Sequence, residues 1–181
     1  MPRLCAAGVQ LREQIDDDYP DRDRKSDGWV ADARHLAKGT SDHIPDAKSG
    51  IVRAIDVDSD LSAHKEEAYA LVEKIRKCAK KGDKRIKYII YDGKIMSPIL
   101  GWKRRKYSGA NPHRSHFHIS FTSLGDTDGK WFNLEGESNE RPKKDGRKLG
   151  KDIPSDSTSD LPSGGIRPQC DCKCRSSVSL A

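Results

Sequence analysis

Large apolar residues become scarce after Phe132, and this confines any hydrophobic core to the chain before that point. The run NLEGESNERPKKDGRKLGKDIPSDSTSDLPSGGIRPQ carries too few of them to offset the entropy of ordering its backbone. We read a folded domain over residues 1–135 and a polar, flexible C-terminal tail over 136–181. Of the 181 residues 34% are hydrophobic and 34% charged, so the core is small and the surface densely charged. That length suffices for one domain with a tail and falls short of two ordinary ones.

The formal charge of +6 favours polyanionic partners: nucleic acid, anionic membrane surfaces or cell-wall polymers. No apolar run approaches the roughly 20 residues needed to span a bilayer, so no stable membrane anchoring is expected. The start, MPRLCAAGVQLREQ, has neither a continuous apolar region nor a small-residue cleavage site. No signal peptide is read, and the expected location is the cytoplasm where the chain is made. Five cysteines in that compartment are expected to be reduced thiols.

Leu4, Ala7, Leu11 and Ile15 recur at steps of three and four and predict a helix that ends before Tyr19-Pro20. A polar stretch, DRDRKSDG, leads to a short helix around Trp29 to Ala37 and then a loop from Lys38 to Gly50. IVRAIDV (Ile51 to Val57) reads as a buried strand, and Leu61 to Lys81 as the clearest helix, with Asp60 as its N-cap. IKYIIY (Ile86 to Tyr91) reads as a strand turned at Asp92-Gly93 into Lys94-Ile95-Met96. After the basic loop GWKRRKYSGANP comes a last strand, HFHISF. The expected fold class is α+β, with helices packed on a small, mostly antiparallel sheet.

In HFHISF the side chains alternate, so Phe117, Ile119 and Phe121 face the core while His116, His118 and Ser120 face the other way. Two imidazoles spaced i, i+2 suit one metal, or one ligand beside an acid/base group. His-x-His also arises by chance on exposed strands, so further ligands are required. Asp56 is a lone carboxylate among apolar neighbours, a costly position for an unpaired charge. The alternative is a strand-end carboxylate that leans into solvent or caps the next helix, which fits Asp58 better. His43, in the polar loop TSDHIPD, is either a surface histidine or the third ligand. Together His43, Asp56 and His118 make a three-ligand set with one position open, the arrangement of catalytic Zn2+, with His116 beside it as acid/base.

SDH (Ser41 to His43), AID (Ala54 to Asp56) and HFH (His116 to His118) resemble the D-Ala-D-Ala carboxypeptidase and L-alanyl-D-glutamate endopeptidase family of zinc peptidases. That family shares its metal-site architecture with lysostaphin-type enzymes and the hedgehog domain. SDG (Ser26 to Gly28) and NPH (Asn111 to His113) are similar to segments in the peptidase modules of actinobacterial phage lysins. The resemblance covers residues 8–125. It implies zinc bound by His43, Asp56 and His118, and His116 as the catalytic residue. It also implies peptidoglycan as the partner, a monomer, and a phage endolysin held in the host cytoplasm until a holin releases it. The stem-peptide bond expected to be cut is L-alanyl-D-glutamate, with terminal D-Ala removal as the alternative.

The family pattern His-x-x-Gly-x-Ala-x-Asp is shorter than the interval from His43 to Asp56, which contains the polar loop IPDAKSG. His35 is therefore kept as an alternative first ligand. Ser115 stands where some members have an acidic base, which moves the acid/base role to His116. Arg53, Ser41 and His113 are candidate substrate contacts, and Lys103, Arg104, Arg105 and Arg114 could extend a cationic rim. His64 reads as exposed, and Cys170, Cys172 and Cys174 lack the fourth ligand of a zinc knuckle. Two other classes compete: a metal-dependent nuclease and a non-catalytic zinc-bearing wall-binding module. For the first, no Asn-then-His pair follows the final strand at helical spacing and stacking aromatics are few, so no nucleic-acid partner is expected. The second should have lost its acid/base residue, yet His116 is present.

Overall fold

The computed structural model describes residues 1–64 and 66–135, the side chains of Arg34, His35 and Lys38 excepted. The expected tail over 136–181, with its three alternating cysteines, lies outside the described residues.

The domain is α+β. A five-stranded antiparallel sheet runs in the order β3 (Ala54–Asp58), β7 (His116–Phe121), β4 (Ile86–Tyr91), β5 (Lys94–Met96), β6 (Arg105–Lys106). A second, two-stranded parallel sheet joins β1 (Arg3–Leu4) to β2 (Ile51–Val52). The helices are α1 (Ala6–Asp18), α2 (Ala33–Lys38) and α3 (Glu66–Lys80).

Each element forms where its periodicity meets a partner. Ala7, Leu11 and Ile15 of α1 are fully buried, and the helix ends where the Tyr19 N–H bonds back to the Ile15 carbonyl. In α3 the stripe Ala68, Leu71, Val72, Ile75 and Ala79 is buried, with Glu66 and Glu67 at the positive end and Lys77 and Lys80 at the negative end. Phe117, Ile119 and Phe121 of β7 pack with Ile55, Val57 and Ile89 in the same core. At Asp92-Gly93 the backbone takes φ values of 43° and 66°, which suits a tight turn between β4 and β5. Gly125, in the 3₁₀ turn Ser123–Asp126, lets that turn approach α1: a Cβ there would stand 2.8 Å from the Ala7 Cβ.

Several boundaries differ from the sequence reading. Leu4 belongs to β1 and not to the helix, because its backbone pairs with Val52. The short helix starts at Ala33, later than Trp29. Ile51 to Val57 is two strands, broken at Arg53, where the chain leaves one sheet for the other. The Arg53 N–H donates to the Asp42 carbonyl at 3.2 Å, and its carbonyl accepts from Phe121 N–H at 2.8 Å. α3 begins at Glu66, so Asp60 is not its cap; the Asp60 N–H is instead held by Asp58 at 2.9 Å. The basic loop contains β6, which pairs with β5.

The core reaches past the last strand. Phe132 is fully buried, and Gln14 clamps its backbone from α1, donating to the carbonyl at 2.9 Å and accepting from the N–H at 2.7 Å. The Arg85 guanidinium lies over the Phe132 ring at 3.8 Å. Cys5 and Cys78 are free, buried thiols, each pushed up to about 11 chiefly by burial. This inertness leaves them a packing role.

Gln14→Leu keeps side-chain volume but strands both Phe132 backbone groups in the core. The expected cost is about 1–3 kcal/mol, and Phe132→Ala should cost about 3–5 kcal/mol. Urea denaturation measures both; an unchanged midpoint for Gln14→Leu would show that the clamp does not hold this segment.

Candidate metal centre and its cleft

The pairing of β3 on β7 places Asp56 directly opposite His118, Asp58 opposite His116 and Ala54 opposite Ser120. Directly opposed residues hold their Cβ atoms about 4.5–5.5 Å apart, close enough for short side chains to touch. On the other flank of β7, Ile90 faces His118 and Tyr88 faces Ser120. One sheet face is therefore core, and the other carries the polar cluster. Outside β3, the Ser26-Asp27-Gly28 segment forms a bridge at Asp56, with N–H to carbonyl distances of 3.1 and 2.7 Å between Gly28 and Asp56.

His43 reaches this face from the 41–50 loop. Its carbonyl accepts from Ala31 N–H, and its own N–H donates to the Ser41 hydroxyl at 3.3 Å. The polar insertion after His43 folds on itself around Asp46, which accepts from Lys48 and Ser49 N–H. Its return at Ile51 brings the chain back to the sheet, so the long interval to Asp56 is no obstacle.

Three ligand atoms converge. His43 Nε2 lies 3.1 Å from His118 Nδ1 and 3.3 Å from Asp56 Oδ2, and His118 Nδ1 lies 2.9 Å from Asp56 Oδ1. A tetrahedral ion with bonds of about 2.0–2.1 Å separates its ligand atoms by about 3.3 Å. The donor set, two imidazole nitrogens and a carboxylate, fits zinc in both chemistry and spacing. These groups can hold a metal ion.

Surrounding groups fix each ligand. His118 Nε2 contacts the Ser120 hydroxyl at 2.9 Å, which leaves Nδ1 for the cluster. The Tyr88 ring stacks on His118 at 5.5 Å with a 23° tilt. The His43 ring also hydrogen-bonds the Trp29 backbone. Asp42, which burial alone would raise, is held below its usual range by Lys87, Tyr88 and Ser120. Lys87 grips it with contacts of 2.8 and 2.9 Å.

The electrostatics keep Asp56 ionised. Burial opposes its charge, but hydrogen bonds and charge from His118 and His43 outweigh that and hold it well below the carboxylate range. Burial likewise opposes protonation of His43, and Asp56 more than compensates, so His43 is raised. His118 is lowered, because in its deeper position desolvation prevails. His113 is pushed down to about 4 by burial, with His118 and His116 adding to the effect.

The cluster forms the floor of a cleft of about 400 Å³. Ser41, His113, His116, Tyr107, Asn111 and Ser26 to Gly28 line it. His116 Nε2 stands 3.9 Å from Asp56 Oδ1, with its side chain 14% exposed, and its Nδ1 contacts Ser115 Oγ at 3.2 Å. Arg53 is not in this cleft. It forms a two-pronged bond to Asp126 at 2.7 and 2.6 Å and lines a separate recess with Asp42 and Asp46.

The expected cationic rim is also elsewhere. Arg104 pairs with Glu73, Arg105 with Ser97, and Arg114 with Asp92. Among described side chains Lys25 is the cation that lines the cleft. His64 is exposed. Asp58 is buried and accepts from Ser26 N–H at 2.9 Å, so it neither faces solvent nor caps a helix. The fold brings His43 to Asp56 and His118; the side chain of His35 is not among those described.

Sequence reasoning missed Ser120, Tyr88 and Asp27 as supports. Strand parity already put Ser120 on the histidine face, and that signal was available. Asp27 accepts from Asp58 N–H and binds Arg22, which is 4% exposed and also holds Asp16. Nothing local in DRDRKSDG marks Arg22 as buried. Comparison with known proteins adds no relative: no family model, curated protein or solved structure matches the chain.

Ser120→Ala removes the partner that orients His118 without touching a ligand. Zinc affinity should fall about 10–100-fold, read by competition with a chromophoric chelator, alongside a loss of stability of about 1–3 kcal/mol from the buried partners left unsatisfied. Full affinity in the variant would mean that packing alone sets the ring.

Proposed function

We propose that this chain is a zinc-dependent peptidase that cuts the stem peptides of bacterial peptidoglycan as a phage endolysin. The reading is supported by one observation above others: His43, Asp56 and His118 converge on the floor of a cleft with His116 at its side. The SDH, AID and HFH motifs supply these four residues, in the roles that the family resemblance gives them.

Zinc held by the three ligands would acidify a water molecule and polarise a scissile carbonyl. The protein's own groups do the rest. Asp56 stays ionised and neutralises part of the ion's charge. His116, partly exposed beside the carboxylate, takes a proton from the attacking water at Nε2 and passes it to the departing amine. Ser115 at Nδ1 orients that ring. The hydroxyl and amide side chains of Ser41, Thr40 and Asn111 offer hydrogen bonds to an extended peptide.

Among the described side chains the lining suits internal cleavage better than removal of a terminal residue. A carboxypeptidase needs a fixed cation for the free carboxylate, whereas Lys25 has an 87% exposed side chain and is engaged with Asp23. We therefore favour the L-alanyl-D-glutamate bond. Release to the wall by a holin completes the endolysin reading. Among the described residues no helix is long and apolar enough to cross a membrane.

Digestion of purified peptidoglycan, analysed by mass spectrometry, tests the proposal. New L-alanine and D-glutamate termini should appear, vanish with a chelator and return with zinc. His116→Ala should keep its zinc and lose about 10²-fold or more in rate. Intact stems with folded, zinc-loaded protein would refute the peptidase reading, and release of D-Ala alone would move the cut to the stem terminus.

A further inference from the structure

Asp56 has a second set of neighbours that the three-ligand site does not use. One nitrogen each from His113 and His116 and a carboxylate oxygen of Asp56 lie within 4.8 Å of one another. The two carboxylate oxygens are directed differently: Oδ2 is the one near His43, while Oδ1 is near both His118 and His116. The same carboxylate can thus serve both clusters.

His113 is placed as a ligand would be. It is 91% buried (9% exposed), and its Nδ1 has no hydrogen-bond partner among the described residues. Its backbone is fixed on both sides: the N–H donates to Asn111 Oδ1 at 3.0 Å, and the carbonyl accepts from Asp92 N–H at 2.9 Å. The ring stands 5.0 Å from His116 and 5.5 Å from Tyr107, edge to face, inside the cleft. An imidazole held this firmly with a free buried nitrogen is suited to a borderline-soft divalent cation.

We propose that His113, His116 and Asp56 form a second, weaker site for a zinc-class divalent cation, and that filling it shuts the enzyme down. The second ion takes His116, the group that moves the proton in the peptidase reading on which this inhibitory role rests. It binds more weakly than the first because it shares Asp56 and lies next to another cation. Activity then peaks with one site filled and falls as zinc rises further.

Equilibrium dialysis of the metal-free full-length chain against zinc tests the site itself, without any assay of activity. The wild type should take up a second equivalent at least about tenfold more weakly than the first. His113→Ala should bind one equivalent fewer and keep the tight one. Peptidoglycan digestion run alongside should decline as the second equivalent binds, while the variant, compared with its own rate at low zinc, shows no such decline. An unchanged zinc count in His113→Ala would overturn the site and put any extra ion elsewhere, for example on the tail cysteines. If the count falls as expected but wild-type digestion is indifferent to excess zinc, the inhibitory role is overturned. If no digestion occurs at any zinc level, the count still decides the second site, and the peptidase reading fails separately.

Discussion

The register of β3 against β7 is the constraint on which the site depends. Asp56 faces His118 because Ala54 faces Ser120 and Val57 faces Phe117. A slip of one residue would bring Val57 or Ile55 to the histidine face and drive the carboxylate into the core. The core prevents this, since Ile55, Val57, Phe117, Ile119 and Phe121 are all essentially inaccessible. Hydrophobic burial on one face of the sheet thus sets ligand geometry on the other. The break at Arg53 serves the same end, because it lets β3 pair with β7 while β2 remains bound to β1.

The site concentrates polar groups where burial makes them costly. Two imidazole nitrogens 3.1 Å apart, both beside one carboxylate, cannot both point lone pairs at each other without a proton or a cation between them. The surroundings favour asymmetry, with His43 raised by Asp56 and His118 lowered by burial. Ser120, Tyr88 and the Trp29 backbone limit how far the rings can turn to escape. Such a cluster is held ready for a cation by its supports, and those supports come from β4, β7 and the 29–43 segment together.

Much of this was legible in the chain, for reasons that differ by residue. The alternation in HFHISF fixes which residues share a face, and a lone carboxylate inside IVRAIDV is conspicuous because an unpaired charge there is expensive. Asp92-Gly93 is a local turn signal and needs no partner. Arg53 was opaque: it is isolated in an apolar run and looks free to meet a substrate, but its partner Asp126 lies 73 residues further along. The cationic rim failed for the same reason, as Glu73 and Asp92 claim Arg104 and Arg114 through the fold and not through sequence proximity. The start of α3 was misplaced because Leu61 is buried like a helical residue while its backbone is still a loop.

The most direct test is X-ray absorption spectroscopy of the full chain loaded with one equivalent of zinc. The expected first shell contains only nitrogen and oxygen at about 2.0–2.1 Å, with the outer-shell signature of two imidazoles. Asp56→Ala should abolish that spectrum at the same zinc concentration. Sulfur scatterers at about 2.3 Å would contradict the account, because they would put the metal on cysteines and leave His43, Asp56 and His118 without it.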